Sequence, residues 1–313
     1  MIRFKSHIAA TLAATTLLAG FQASPGFAQA AATKAEAAPA AQAASTLATP
    51  ALWKLSDKDT TIYLFGTVHA LPKGVNWDHG AVAKAMGSAE TLVTEVPMNA
   101  MNAPETQAMF MKNAQLPDGQ SLRDLLSPDQ RKTYEEAMTK LGLPVGAFDK
   151  FQPWFASLTL TMLPVMKAGY NPANGVDDRI DAKLPKTVKR DALETVQYQL
   201  DLFAKMPQET QIKFLVSTAS EVDNIGKSIG EMVDEWAKGD ADGLANLMNQ
   251  QLDDPAVADR LLYQRNRNWA KWIEKRMDEP GTVFIAVGAG HLAGDKSVQS
   301  YLGKDGVKVT RVQ

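Results

Sequence analysis

The 313-residue chain contains no cysteine, which excludes disulfides, a thiolate nucleophile, iron–sulfur clusters and cysteine zinc sites. An excess of charge of one sign is missing too: 33 Lys and Arg stand against 35 Asp and Glu, for a net charge of −2. That balance offers no electrostatic footprint for nucleic acid or an anionic membrane. The apolar runs at 8–18 and 154–166 are both shorter than the roughly 20 residues a membrane-spanning helix needs. Histidine is scarce, with four residues in all, so the position of each is informative. What is present is a hydrophobic content of 45%, enough to bury a core in a soluble globular domain.

The N-terminus reads as an address. Arg3 and Lys5 precede the uncharged run at 8–18, and Ala28-Gln29-Ala30 supplies an A-x-A cleavage site. The expectation is a secretory signal peptide over 1–30, a mature protein that is periplasmic or secreted, and no stable membrane span after cleavage. Removing the leader takes away two positive charges and moves the net charge from −2 to −4. Residues 31–51 are rich in alanine and lack large apolar side chains that would offset the entropy of ordering, so they read as a flexible linker. The remaining 52–313 is a suitable length for one α/β domain, and two small domains would also fill it.

Short apolar runs at 62–65, 91–96 and 283–287 predict buried strands, with weaker candidates at 53–56, 187–190 and 307–312. Helical spacing predicts helices at 81–88, 128–141, 153–167, 196–204, 207–222, 225–238 and 255–277, with Pro164 kinking or ending the third. Strands at both ends of a long helical middle imply an α/β fold, a mixed central sheet with a large helical insertion in a single domain.

Two of the three remaining histidines sit in the same local pattern at opposite ends of that domain. Ile62-Tyr63-Leu64-Phe65 runs into Gly66-Thr67-Val68-His69, and Val283-Phe284-Ile285-Ala286-Val287 runs into Gly288-Ala289-Gly290-His291. Each is a strand followed by G-x-x-H. A glycine at a strand end permits a sharp turn, and the carboxyl edge of an open α/β sheet is where ligands bind. If the two strands are neighbours, His69 and His291 converge on one site; otherwise they are unrelated loop histidines. Glu95 closes the third apolar run and is a candidate ligand or general base, with an exposed edge residue as the alternative. Asp177 and Asp178 stand at a helix start, where Asp also serves as a cap. Glu194 is a further carboxylate candidate. Arg265 shares a helix face with Leu261, Trp269 and Ile273 and is a candidate to stabilise an oxyanion, or to pair locally, with Asn266 supplying a hydrogen bond. His79 reads as a loop or cap histidine.

Two histidines with one or two carboxylates make a mixed N/O set suited to zinc, manganese, cobalt or iron. Such a metal activates water and polarises a carbonyl, giving hydrolysis without a protein nucleophile. Two motifs are decoys. Gly226-Lys227-Ser228-Ile229-Gly230 has the G-x-S-x-G form, but helical spacing runs through it and no strand precedes it. Gly288-Ala289-Gly290-His291-Leu292-Ala293 has the dinucleotide form, but too little chain follows to complete a nucleotide-binding unit.

The ordered set Leu64-Phe65-Gly66-Thr67-Val68-His69, Thr94-Glu95, Gly175-Val176-Asp177, Leu193-Glu194-Thr195, Arg265-Asn266-Arg267-Asn268-Trp269 and Val287-Gly288-Ala289-Gly290-His291 resembles the TraB/GumN family, whose eukaryotic relatives include the TIKI proteins. The resemblance covers nearly all of 52–313. It implies a mixed α/β fold related to the erythromycin-esterase-like superfamily and, in the TIKI branch, a metal-dependent protease using manganese or cobalt. By that likeness His69 and His291 match the two G-x-x-H positions and Glu95 the early acidic position, while Asp177, Glu194 and Arg265 match further family positions.

The combined expectation is an exported metal-dependent hydrolase, with His69, His291, Glu95 and Asp177 around the metal and His69, Glu95 and Arg265 in catalysis. Peptide, ester and glycan all remain open as substrate. The rivals are a non-catalytic periplasmic peptide- or glycan-binding envelope protein, and a metal-free acid/base hydrolase using His69 and Glu95.

Overall fold

The computed structural model describes residues 46–101, 103–252 and 254–313. The expected signal peptide and residues 31–45 of the expected linker lie outside the described residues. In chain order the strands are β1 (Thr46–Leu47), β2 (Leu52–Ser56), β3 (Thr60–Thr67), β4 (Val75–Asn76), β5 (Thr91–Thr94), β6 (Lys189–Ala192), β7 (Gly281–Gly288) and β8 (Thr310–Arg311). β1 pairs with β4, and the other six form one sheet in the order β6-β5-β7-β3-β2-β8. Neighbours from β6 to β3 are parallel, whereas β2 runs antiparallel to both β3 and β8. The α/β class and mixed sheet expected from the sequence are therefore present, in a single domain.

β3 and β7 take the centre because their runs are apolar on both faces, as parallel strands covered on two sides must be. Their register extends from Thr60 opposite Gly281 to Thr67 opposite Gly288. Alternation along the strands sends Phe65, Leu92 and Phe284 to one face, where they meet Trp77, Ile180 and Trp236. Leu64, Val93 and Ile285 point the other way, onto Trp269, Ile273 and Leu302.

Helix α1 (Gly80–Ser88) follows β4. Between β5 and β6 come α2 (Met98–Met101), α3 (Pro104–Ala114), α4 (Pro128–Leu141), α5 (Pro153–Lys167) and α6 (Val176–Lys183). Between β6 and β7 come α7 (Val196–Ala204), α8 (Gln208–Ser220), α9 (Ile225–Lys238), α10 (Ala241–Gln251), α11 (Pro255–Ala258) and α12 (Gln264–Arg276), and α13 (Val298–Lys304) follows β7. The helical insertion is thus split into two blocks by β6. Their apolar faces share one core that includes Trp154, Phe155, Phe203 and Phe214.

Several boundaries differ from expectation for physical reasons. Residues 46–51, expected in the linker, are built into the fold: Ala48 is fully buried and the Thr49 N–H donates to the Ala237 carbonyl at 2.7 Å. Small side chains here permit close packing rather than flexibility. Only Thr310–Arg311 of the expected 307–312 strand pairs, against Trp53 and Lys54. The helix expected over 255–277 contains a π turn at Asp259–Tyr263, a feature that often accompanies functional sites. Helices α2, α3, α10 and α13 were not expected, although Asp240 and Ser297 cap α10 and α13 by accepting from the N–H groups of Gly243 and Ser300. α5 ends three residues past Pro164. Among the described residues no helix is long and apolar enough to cross a membrane.

Helix α9 runs unbroken through the G-x-S-x-G segment, so Ser228 is not on a nucleophile elbow. Its glycines serve contact: a Cβ on Gly226 would stand 3.0 Å from Ala168 Cβ, and one on Gly230 3.1 Å from the Tyr170 hydroxyl.

Candidate functional site

Because β3 and β7 are paired and end level, the two G-x-x-H segments leave the carboxyl edge of the sheet side by side. Their glycines are there for close approach, not for an unusual turn, since neither Gly66 nor Gly288 has a positive φ. A Cβ on Gly66 would stand 3.0 Å from Ala289 Cα, in the opposite loop. A Cβ on Gly288 would stand 3.1 Å from Glu95 Oε1 and 3.7 Å from both His69 Nε2 and His291 Cδ2. His69, Glu95 and His291 therefore surround the space that Gly288 leaves open.

Each histidine is held by its far nitrogen. His69 Nδ1 is 2.8 Å from Asp177 Oδ2, and the Thr67 hydroxyl donates to Asp177 Oδ1 at 2.9 Å. Each carboxylate oxygen of Asp177 thus has one partner, and as arranged here the side chain holds His69 by its far nitrogen. It does not cap α6, because Gly175 occupies the cap position with no side-chain bond. Asp178, one residue on, is exposed. Gly175 seats α6 against the β3 loop: a Cβ there would lie 2.7 Å from the His69 carbonyl oxygen and 2.9 Å from that of Pro172. Both obstacles are backbone, so Gly175→Ala is expected to cost about 1–3 kcal/mol and to displace His69. A urea titration of the variant reads that loss, and an unchanged midpoint contradicts the packing described.

On the other side, Asn266 Nδ2 donates to the Lys296 carbonyl at 2.8 Å, which turns its Oδ1 toward His291 Nδ1. That oxygen can only accept, so His291 carries its proton on Nδ1 and presents a lone pair at Nε2. Asn266 therefore fixes a tautomer, a more specific role than the general hydrogen bond expected of it. Trp269 packs against the ring, centroid to centroid 4.2 Å.

Glu95 is 1% exposed, so the edge-residue alternative is excluded. Its Oε1 accepts the Gly288 N–H at 2.7 Å and lies 3.9 Å from His291 Nε2. Its Oε2 accepts from Arg265 Nη2 at 2.6 Å and from Gln199 Nε2 at 2.9 Å. Arg265 also donates from Nε and Nη2 to Glu194 and from Nη1 to the Leu261 carbonyl. The oxyanion role expected of Arg265 is corrected accordingly: its guanidinium is buried between two carboxylates and positions Glu95. Burial opposes its charge, but Glu95 and Glu194 outweigh that and keep it protonated. Glu194 has its oxygens occupied by Arg265, Trp269 Nε1 and Gln199, so it holds the arginine and does not face the histidines.

Among the site residues, His69 Nε2 and His291 Nε2 are buried without a hydrogen bond, as is Gln199 Oε1. Both rings line a cavity of about 30 Å³, with Thr67 and Gly288 beside them and Met232, Leu244 and Met248 opposite. Burial lowers the His69 pKa, but the charge and hydrogen bond of Asp177, with Glu95 behind them, raise it overall. Burial, then Arg265 and His69, hold the His291 pKa well below the usual range, so that ring is neutral.

Residues 51–311 match the model of the TraB/PrgY/gumN family. The chain belongs to that family. No curated protein and no solved structure matches it. For this TraB/PrgY/gumN chain the metal suggested by resemblance can be tested against the donors present. Two orphaned imidazole nitrogens, each backed by an acceptor on its other nitrogen, have the chemistry of metal-ligating histidines. Among the described residues, however, no group of three or more His, Cys, Asp or Glu side chains is drawn together to hold an ion. The donor types fit a divalent cation; a closed cage is not preassembled.

His79 is not part of the site. Its Nε2 faces the Ala48 carbonyl at 3.0 Å, tying down the chain before β2. Gln199, which bridges Glu95 and Glu194, is absent from the sequence expectations. It sits between Val196, Leu200 and Phe203 on the buried face of α7, and a polar residue in an apolar stripe was the available signal.

Proposed function

We propose that this protein is a metal-dependent hydrolase whose site is the space in front of Gly288. His69 and His291 would hold the cation through Nε2, with Glu95 beside them and an open side for substrate. The observation that carries this reading is the pair of buried, partnerless imidazole nitrogens opening onto one cavity, each ring fastened at its other nitrogen. Two imidazoles with a carboxylate suit manganese, cobalt, zinc or iron. When bound, such a cation supplies Lewis acidity toward water and a carbonyl.

The protein's own groups then have distinct tasks. Glu95 Oε1, which borders the space that Gly288 leaves open and lies 3.9 Å from His291 Nε2, would accept a proton from water held there. Its carboxylate cannot rotate away, because the Gly288 N–H, Arg265 and Gln199 hold both oxygens. Asp177 and Asn266 aim the two rings. Substituting either by alanine is expected to weaken cation affinity by about 10–100-fold. Titration with cobalt, followed by its visible absorption, checks this, and wild-type affinity in both variants contradicts it.

The basic, apolar and A-x-A segments of the leader support a periplasmic or secreted setting. Peptide, ester and glycan probes, each assayed with manganese, cobalt or zinc and with chelator, test the reading. Turnover that needs the cation and returns on its readdition is expected. A second reading is favoured by the His69–Asp177 pair, which has the form of an oriented general base: metal-free hydrolysis, recognised by turnover that survives chelation. Stabilisation by a peptide or glycan without product would instead indicate a binding protein.

A further inference from the structure

Helix α10 contributes Leu244 and Met248 to the wall of the histidine cavity. Met248 lines the cavity at His69 and His291 and also lines a second space, a groove of about 240 Å³ bounded by Leu252, Leu262, Tyr263 and Asp295. Among the described residues, only Met248 and Gly290 border both. The thioether rests directly on Gly290, where a Cβ would stand 2.9 Å from its sulfur. The missing side chain at 290 is what lets Met248 close the wall. Methionine is unbranched, with three rotatable bonds, so it can leave that position without moving the backbone.

We infer that the groove is the approach subsite and Met248 its gate: when the thioether swings off Gly290, an apolar substrate side chain lies along Leu252, Leu262 and Tyr263 and the attached bond reaches His291. The substrate's identity as such rests on the hydrolase reading; the gate does not. The class of group follows from the walls. Leu252, Leu262 and Met248 are buried apolar residues, and a charge among them would have no partner. The charged groups that line the groove, Asp295 and Lys296, are exposed, with Lys296 Nζ 4.3 Å from the centre of the Tyr263 ring.

Access to His291 can be read without turnover, by the rate at which diethyl pyrocarbonate modifies each histidine in the presence of chelator, resolved by peptide mass spectrometry. His79 borders neither cavity and is the internal reference. In Met248→Ala, His291 modification relative to His79 is expected to rise about tenfold, as for a local opening made easier. Asn249→Trp changes an exposed position on the groove, leaves the core intact, and is expected to slow His291 modification by plugging the entrance. Hexanol is expected to protect His291 in the wild type, and glycerol, which has no apolar chain, is not. If Met248→Ala loses its fold, His79 modification rises as well, and the Asn249→Trp result decides. An unchanged His291 rate in Asn249→Trp overturns the route, equal rates in wild type and folded Met248→Ala overturn the gate, and equal protection by both probes overturns the apolar class. Because chelator is present throughout, a confirmed gate with no metal-dependent turnover would leave this inference standing and refute the hydrolase reading alone.

Discussion

Arg265→Ala is expected to destabilise the domain by about 3–5 kcal/mol, a large part of the 5–15 kcal/mol that typically holds a domain folded. The reason is the environment of the guanidinium. It is 1% exposed, and Glu95 and Glu194 are both buried around it. Truncation leaves two carboxylates without their cation in a medium that solvates them poorly. Arg265→Lys should recover only part of the loss, because a point charge cannot make the forked contacts to both partners. Combining Arg265→Ala with Glu95→Gln and Glu194→Gln should restore part of the stability by removing the uncompensated charges. Urea unfolding of the four proteins measures these differences. A loss below about 1 kcal/mol in Arg265→Ala would place the triad with surface ion pairs and contradict the burial argument.

His291→Ala should abolish turnover while leaving the domain folded. The side chain makes one hydrogen bond, to Asn266, and packs at a tilt against the Trp269 ring, so its removal strands little else. Loss of Lewis-acid assistance worth several kcal/mol corresponds to about a thousandfold or more in rate. The check is the cation-dependent rate of whichever peptide, ester or glycan probe the wild type cleaves, alongside a thermal melt. A folded variant with wild-type turnover would remove His291 from the chemistry.

The sequence made the central strands legible because a parallel strand buried on both faces must be apolar throughout, as 62–65 and 283–287 are. β6 was misplaced by about two residues because a short, exposed, charged edge strand carries no alternation; only its pairing to β5 fixes it. The site was legible where chemistry interrupts a strand end, as at His69, Glu95 and His291. It was not legible where the decisive fact is the direction of a side chain. Spacing placed Arg265 on the buried face, but the presence of Glu194 beside it depends on a segment 71 residues earlier in the chain. Likewise Asp177 stands at a helix start, as a cap would, and only the approach of α6 to the β3 loop reveals that it holds His69. The role of Met248 had no sequence signature, since a methionine near an apolar stripe is ordinary core material.

The most direct test of the central claim, that the two G-x-x-H loops build one cation site, is metal content and thermal melting of the protein from residue 31 onward, with and without chelator, for wild type, His69→Ala and His291→Ala. The account predicts near-stoichiometric manganese, cobalt, zinc or iron in the wild type, a melting temperature lowered by chelator, and loss of both properties in each variant. A wild-type protein that takes up none of these metals and melts identically with chelator would contradict it.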